Sequence, residues 1–274
     1  MTPGSARIRQ NIFVLLITPP KPRHVITPDG RSIATYDSGS ADAPAVLAVH
    51  GFASSGVYNW YSTGWVRDLT RAGLRVIAID QRGHGDSDKP HEPGSYTMDA
   101  LVADALAVLD TYMLGQVGYL GYSLGARVGW RLAHDYPERV SRAVLGGIPD
   151  GDPLTRLELD AARAHIADGT PIADKLTRTY LTMAAGIPDN DLLALVSLAA
   201  GMRGELQPSA ANAPQQPVLF ATGTEDPILE ASRKLSQQAP AGSFFEIPGR
   251  HHFNAPTSRA FRAAGAAFLR PASA

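Results

Sequence analysis

The sequence has no cysteine, which excludes disulfides, thiolate metal centres and a cysteine nucleophile together. It also lacks an excess of either charge, since 25 Lys and Arg stand against 26 Asp and Glu, a net −1. Such a balance does not favour a basic face for a phosphate backbone, and no RNP, KH or finger signature occurs. Nucleic acid is therefore not an expected partner. Long apolar runs are missing as well, and no stretch approaches the length needed to span a bilayer. The run "IFVLLI" from Ile12 to Ile17, after Arg7 and Arg9, is short for a signal-peptide core. Pro19, Pro20 and Pro22 close it without a small-residue cleavage site. It reads as an irregular leader over 11–17, or a first short strand, on a cytoplasmic protein.

What is present is a chain of 274 residues, 44% apolar and 19% charged, enough for one large core with an inserted subdomain. "HVITPDGRSIATYDSG" sets Asp29-Gly30 between two alternating segments and predicts an antiparallel hairpin. The pattern then changes. "AVLAV" (45–49), "RVIAI" (75–79), "VGYL" (117–120), "AVLGG" (143–147) and "PVLFA" (217–221) are apolar throughout. Strands buried on both faces read this way, and such sheets are mostly parallel with covering helices.

Helical patterns separate these runs. Over 97–113, apolar residues at 98, 101, 102, 105, 106 and 109 mark one helix face, with Thr97 as its N-cap. Residues 124–136, 228–238 and 258–270 supply three more. The alternation predicts an α/β fold with a mostly parallel central sheet and helices on both faces. Residues 150–213 break the rhythm with helical patches and no strand, and Pro149, Pro153, Pro208, Pro214 and Pro217 cluster at their ends. The expected organisation is a core of 1–149 and 214–274 with 150–213 as a helical cap. The cap would lie over the strand ends, where open α/β sheets bind ligands.

Gly121-Tyr122-Ser123-Leu124-Gly125 lies where an apolar run turns amphipathic. Glycines two residues either side of a serine suit a tight strand-to-helix turn, which either carries an idle serine or exposes a nucleophile. A serine hydroxyl needs a base. Among eight histidines, His251 and His252 stand out, because "FFEIPGRHHF" runs a short strand into a late loop. The base in turn needs a carboxylate. "PVLFATGTEDPI" offers Glu225 and Asp226 just beyond a buried run, although Asp226-Pro227 is equally a helix start. Two N–H donors for an oxyanion would come from Leu124 at the helix start and from Phe52, which Gly51 would let turn inward.

"HGF" (50–52), "DQRGHGDS" (80–87), "GYSLG" (121–125), "GTEDP" (223–227) and "PGRHHF" (248–253) occur in that order. In this the chain resembles the α/β-hydrolase fold superfamily, as a serine esterase-like member with a helical cap. The resemblance implies Ser123 as nucleophile, Asp226 as acid, His252 as base and an oxyanion hole at the backbone N–H groups of Phe52 and Leu124. His252 is chosen because the family follows Gly and His with an aromatic, here Phe253. His251 would then touch substrate at the edge of the site. Asp80, Arg82, His84 and Ser87 shape a loop in the family, and Gly83-His84-Gly85 has no partners spaced to hold a metal.

Trp60, Tyr58 and Trp65 are candidates for the pocket mouth, although aromatics at such spacing more often pack, and Met183 and Met202 read equally as pocket or core. Tyr122 is a further pocket candidate. Epoxide hydrolases and haloalkane dehalogenases carry a carboxylate at the elbow, which Ser123 argues against. "HGFASSG" lacks the Gly-Gly-Pro-Gly loop of iminopeptidases and the Gly-Pro-Gly loop of carbon–carbon bond hydrolases. The expected activity is hydrolysis of a small-molecule ester, lactone or thioester through an acyl-enzyme, by a monomer or homodimer needing no cofactor or metal. The alternatives are a lyase, cyclase, acyltransferase or carbon–carbon bond hydrolase using the same site, or a ligand-binding protein on this scaffold.

Overall fold

The computed structural model describes residues 18–151, 153–187 and 189–271; the expected leader over 11–17 lies outside them. Eight strands form one sheet: β1 (Arg23–Ile26), β2 (Ser32–Ser38), β3 (Ala45–Val49), β4 (Arg75–Ile79), β5 (Val117–Tyr122), β6 (Val140–Gly146), β7 (Val218–Gly223) and β8 (Gly242–Ile247). Their spatial order is β1-β2-β4-β3-β5-β6-β7-β8. The first hairpin is antiparallel and β2 runs antiparallel to β4, while β3 to β8 are all parallel. Asp29 and Gly30 lie in the hairpin turn, where Gly30 takes φ +79°.

The continuous apolar runs follow from burial on both faces. Leu47, Val49, Ile77, Ile79, Tyr119 and Phe220 point to one side of the sheet, into a core shared with α2 (Met98–Thr111) and α3 (Leu124–Asp135). Their neighbours Val46, Ala48, Val76, Ala78, Leu120 and Ala221 point to the other, against α1 (Trp65–Arg71) and α8 (Arg259–Leu269). Successive strand residues face opposite ways, so covering both faces demands apolar residues at every position. The Thr97 hydroxyl does cap α2, accepting the Ala100 N–H at 3.1 Å.

Between β6 and β7 lie α4 (Leu159–Asp168), α5 (Lys175–Ala185) and α6 (Leu192–Gly201), with no strand among the described residues. α7 (Leu229–Gln238) follows β7. Two helices, α1 and α5, are absent from the sequence reading. α1 has only seven residues, and α5 mixes Thr177, Thr179 and Thr182 among its apolar residues, which blurs the helical period. Asp174 nevertheless starts α5 firmly by accepting the Thr177 N–H. No helix among the described residues is long and apolar enough to cross a membrane.

Candidate active site

β5 ends at Tyr122 and α3 begins at Leu124, leaving Ser123 alone at the turn with φ 52° and ψ −113°. A non-glycine residue there is strained, and the turn persists because its surroundings fix it. The Ser123 N–H donates to the Gly146 carbonyl at 2.8 Å, and its own carbonyl accepts the N–H groups of Ala126 and Arg127. The flanking glycines are steric necessities. A Cβ on Gly121 would stand 2.5 Å from the Gly125 oxygen, and one on Gly125 would stand 2.1 Å from the Val49 oxygen.

Three side chains from separate loops meet at this turn. His252 Nε2 lies 3.0 Å from Ser123 Oγ, and His252 Nδ1 lies 2.8 Å from Asp226 Oδ2. A carboxylate accepts, so the proton is assigned to Nδ1 and the Nε2 lone pair faces the serine hydroxyl. Asp226 is 5% exposed. Its other oxygen accepts the Ile228 N–H at 3.1 Å in the turn before α7 (Leu229–Gln238), whose N-cap is Ile228, so Asp226 does not itself cap that helix. Tyr122 buttresses the arrangement, since its hydroxyl donates to the His252 carbonyl at 2.5 Å. Burial, with the nearby Asp226 charge, pushes that phenol well above its ordinary range and keeps it a donor.

Ser123 and His252 open onto a cavity of about 550 Å³. Phe52, Leu154, Tyr180, Met183, Ile187 and Phe253 supply apolar lining, and Tyr58, Asn59, Ser62 and Thr63 bring polar groups. Phe52 and Leu124 both line it. Leu124 opens α3, so its N–H has no preceding turn to pair with. Gly51 permits the close approach of the Phe52 loop, since a Cβ there would lie 3.2 Å from Ser123 Cβ. The helical segment reaches the same loop: Asn190 Nδ2 donates to the Ala53 carbonyl at 3.0 Å, and Ala184 and Leu195 pack on Ala53.

Of the pocket candidates, Tyr122 and Met183 line the cavity, as does Tyr58. The readings of Trp60 and His251 need correction. Trp60 is fully buried on the α1 and α8 side of the sheet, edge-on to Trp65 at 5.9 Å, and does not line the cavity. Trp65 donates its indole N–H to the Pro256 carbonyl and packs on Phe261. His251 is exposed and also off the cavity; its N–H donates to Asn254 Oδ1 and its ring stands against Phe253. Met202 belongs to the core. The sequence reading passed over Asn59, Tyr180 and Ile187. Asn59 is 6% exposed on a wide π-helical turn, Val57–Tyr61, and its Nδ2 has no acceptor on the protein. Such turns recur at functional sites, but "VYNWY" gives no periodic signal for one.

The "DQRGHGDS" stretch is a buried scaffold. Asp80 accepts the N–H groups of Gly56 and Asp86 and the Tyr36 hydroxyl. Arg82 spans Asp104 and Asp29. Among the described residues no three His, Asp or Glu side chains are grouped closely enough to hold a metal ion.

The alpha/beta hydrolase fold family model matches residues 44–178. Epoxide hydrolase B of Mycobacterium tuberculosis is 39% identical over 109 residues, 39% of this chain and 29% of that protein. The putative 2-succinyl-6-hydroxy-2,4-cyclohexadiene-1-carboxylate synthase of Bacillus subtilis is 33% identical over 129 residues, 47% of this chain and 45% of that protein. The chain thus matches less than half the length of either relative. The enol-lactonase from Burkholderia xenovorans LB400 superposes with a TM-score of 0.74 at 22% identity, over 90% of this chain and 99% of that one. With its mostly parallel eight-stranded sheet and the serine turn after β5, the chain belongs to the α/β-hydrolase fold superfamily.

Proposed function

We propose that this chain is a serine hydrolase that cleaves a carboxylic ester, lactone or thioester through an acyl-enzyme. The line of contacts from Asp226 through His252 to Ser123, at 2.8 and 3.0 Å and opening onto the cavity, carries this reading. His252 takes the Ser123 proton as Oγ attacks the carbonyl carbon. The oxyanion that forms accepts the N–H groups of Phe52 and Leu124. Imidazolium then protonates the leaving alcohol or thiol, and water activated by His252 releases the acid in a second round. Residues 150–213 act as a cap, with Tyr180 and Met183 of α5 closing the cavity over Ser123.

The similarity to an epoxide hydrolase does not transfer that chemistry. A carboxylate that opens an epoxide forms an ester, which water can then cleave at its carbonyl. Ser123 would form an ether, which has no carbonyl for water to attack. The similarity to a putative synthase favours one second reading, a lyase or cyclase in which the same base abstracts a substrate proton.

Intact-mass labelling with a fluorophosphonate, followed by peptide mapping, tests the nucleophile. One adduct on Ser123, absent from Ser123→Ala, is expected. Full ester hydrolysis by Ser123→Ala would refute the mechanism. Asp226→Asn should fold and lose about 10⁴-fold in kcat. Product analysis with candidate substrates separates hydrolysis from elimination or acyl transfer.

A further inference from the structure

Two buried histidines hold the loop that carries Phe52. His84 Nε2 lies 3.0 Å from the Ala53 nitrogen, and His84 Nδ1 lies 3.1 Å from the Arg82 carbonyl. A backbone N–H only donates and a carbonyl only accepts, so this ring is neutral with its proton on Nδ1. His50 is placed in the same way. Its Nε2 accepts the Gln81 N–H at 3.0 Å, and its Nδ1 donates to the Gly51 carbonyl at 2.7 Å. The Gln81 amide closes the frame by donating to the His50 carbonyl at 2.6 Å. Both rings are fully buried, and they meet edge-to-face with centroids 4.8 Å apart.

These contacts fall on the two peptide planes that flank the Phe52 Cα. One plane holds the Gly51 carbonyl and the Phe52 N–H, and His50 grips its carbonyl. The next holds the Phe52 carbonyl and the Ala53 N–H, and His84 grips its N–H. Because a peptide unit is planar, fixing one of its groups fixes the other. Ala53 also sits at φ +58°, a conformation that a non-glycine residue keeps only when its neighbours impose it. Asn190 holds the Ala53 carbonyl from the helical segment, so both backbone groups of Ala53 are occupied.

We propose that His84, seated against His50, is a positioning residue that aims the Phe52 N–H at the developing oxyanion. It touches no reacting atom and acts through the backbone of Ala53. The inference rests on the serine-hydrolase reading above. The ring has to stay neutral, because a proton on Nε2 would displace the Ala53 N–H. The groups around it favour this. His50 is the ring against it, and Asp80 is occupied by Gly56, Asp86 and Tyr36. The Arg82 guanidinium turns away to Asp104 and Asp29, and Phe52 presents its ring edge-on at 6.2 Å. Burial, then the neighbouring His50, brings His84 down to about 3.

The test compares His84→Phe, which keeps the ring outline without an acceptor, with His84→Gln, whose Oε1 can still accept the Ala53 N–H. For each, kcat and KM on 4-nitrophenyl butyrate are measured per Ser123 site titrated with fluorophosphonate. The inhibition constant of an alkyl trifluoromethyl ketone is measured alongside, because its adduct places an oxyanion where the intermediate has one. His84→Phe should lower kcat per site about 10- to 100-fold, as expected for a misaimed donor. Its KM should stay within about threefold, ketone binding should weaken with kcat, and His84→Gln should recover most of both. Fewer titratable sites with unchanged kcat per site would mean a purely structural role and overturn the inference. Equal loss in both variants would overturn it too. A wild-type protein that forms no fluorophosphonate adduct overturns the serine reading itself, and this inference with it.

Discussion

Arg82 meets both carboxylate oxygens of Asp104 in the interior, Nη2 to Oδ1 at 2.6 Å and Nε to Oδ2 at 2.7 Å. Neither side chain is more than 2% exposed. Asp29, half in solvent, meets the same guanidinium at 2.9 Å. The turn after β4 is thus tied to α2 and to the first hairpin. Removing the carboxylate alone, as in Asp104→Leu, leaves a buried cation with only the half-exposed Asp29 and the Ser95 carbonyl as partners. A loss of about 3 to 5 kcal/mol is expected in urea unfolding. The double variant Arg82→Met/Asp104→Leu, with no charge left to strand, should recover most of it. Equal losses in the two proteins would mean that the fit of the side chains, not their charges, matters there.

Acid should destabilise the fold before it titrates the bulk of the carboxylates. Burial brings His50 down to about 4, and burial with the neighbouring His50 brings His84 to about 3, from an ordinary 6.5. Between the unfolded and folded values the unfolded chain binds protons that the native protein does not. Stability is therefore held above pH 6.5 and lost as pH falls toward 4, by up to about 1.4 kcal/mol per pH unit for each ring. Asp80 works in the opposite sense: burial raises it, so its contribution increases as pH falls through its folded value. Urea midpoints at pH 7, 6 and 5 check this. A flat profile for the wild type, or one with the same slope in His84→Gln, would contradict the assignment of His84 as a buried neutral ring.

Most of β3 to β7 is legible because burial on both faces makes the runs apolar, whereas Ser141 and Arg142, half-buried near the start of β6, hide that strand's first residues. The turn at Ser123 is legible because its glycines are demanded by backbone contacts that any side chain would violate. The pocket is not legible in this way. Asn59 and Trp60 are adjacent in sequence, yet one lines the cavity and the other lies in the core on the α1 and α8 side. Successive residues of a helical turn face different directions, and nothing in "YNW" says which direction is the cavity. His251 and His252 divide for a similar reason. The Tyr122 hydroxyl holds the His252 carbonyl while Asn254 holds the His251 N–H, and these contacts decide which ring reaches Ser123.

The Tyr122 contact makes its own prediction. Tyr122→Phe removes the donor to the His252 carbonyl but keeps the ring, which lies 5.4 Å from the imidazole. Losing one buried hydrogen bond should cost about 1 to 2 kcal/mol of stability. The larger effect should be on the reaction, because a loosened His252 loop spoils the approach of Nε2 to Ser123. The rate of Ser123 modification by a fluorophosphonate should fall about tenfold. An unchanged rate would show that Asp226 alone is enough to seat the imidazole.

Ser123 carries a conformational cost that its removal should reveal. At φ 52° and ψ −113° an L-residue is strained by about 1 to 3 kcal/mol, whereas glycine accepts positive φ freely. Ser123→Gly should therefore abolish phosphonate labelling while raising the melting temperature, or at least the urea midpoint. Ser123→Ala, which keeps the Cβ and the strain, should lose labelling with little gain in stability. The comparison isolates backbone strain from the missing hydroxyl, because both variants lack Oγ and its contact with His252. Glycine also loses more freedom on folding than alanine, by about 0.5 to 1 kcal/mol, so the observed gain is the relief of strain less that amount. If Ser123→Gly were less stable than Ser123→Ala, strain relief would be smaller than that entropy cost. The turn would then be held by its carbonyl and N–H contacts with Gly146, Ala126 and Arg127 at little conformational expense.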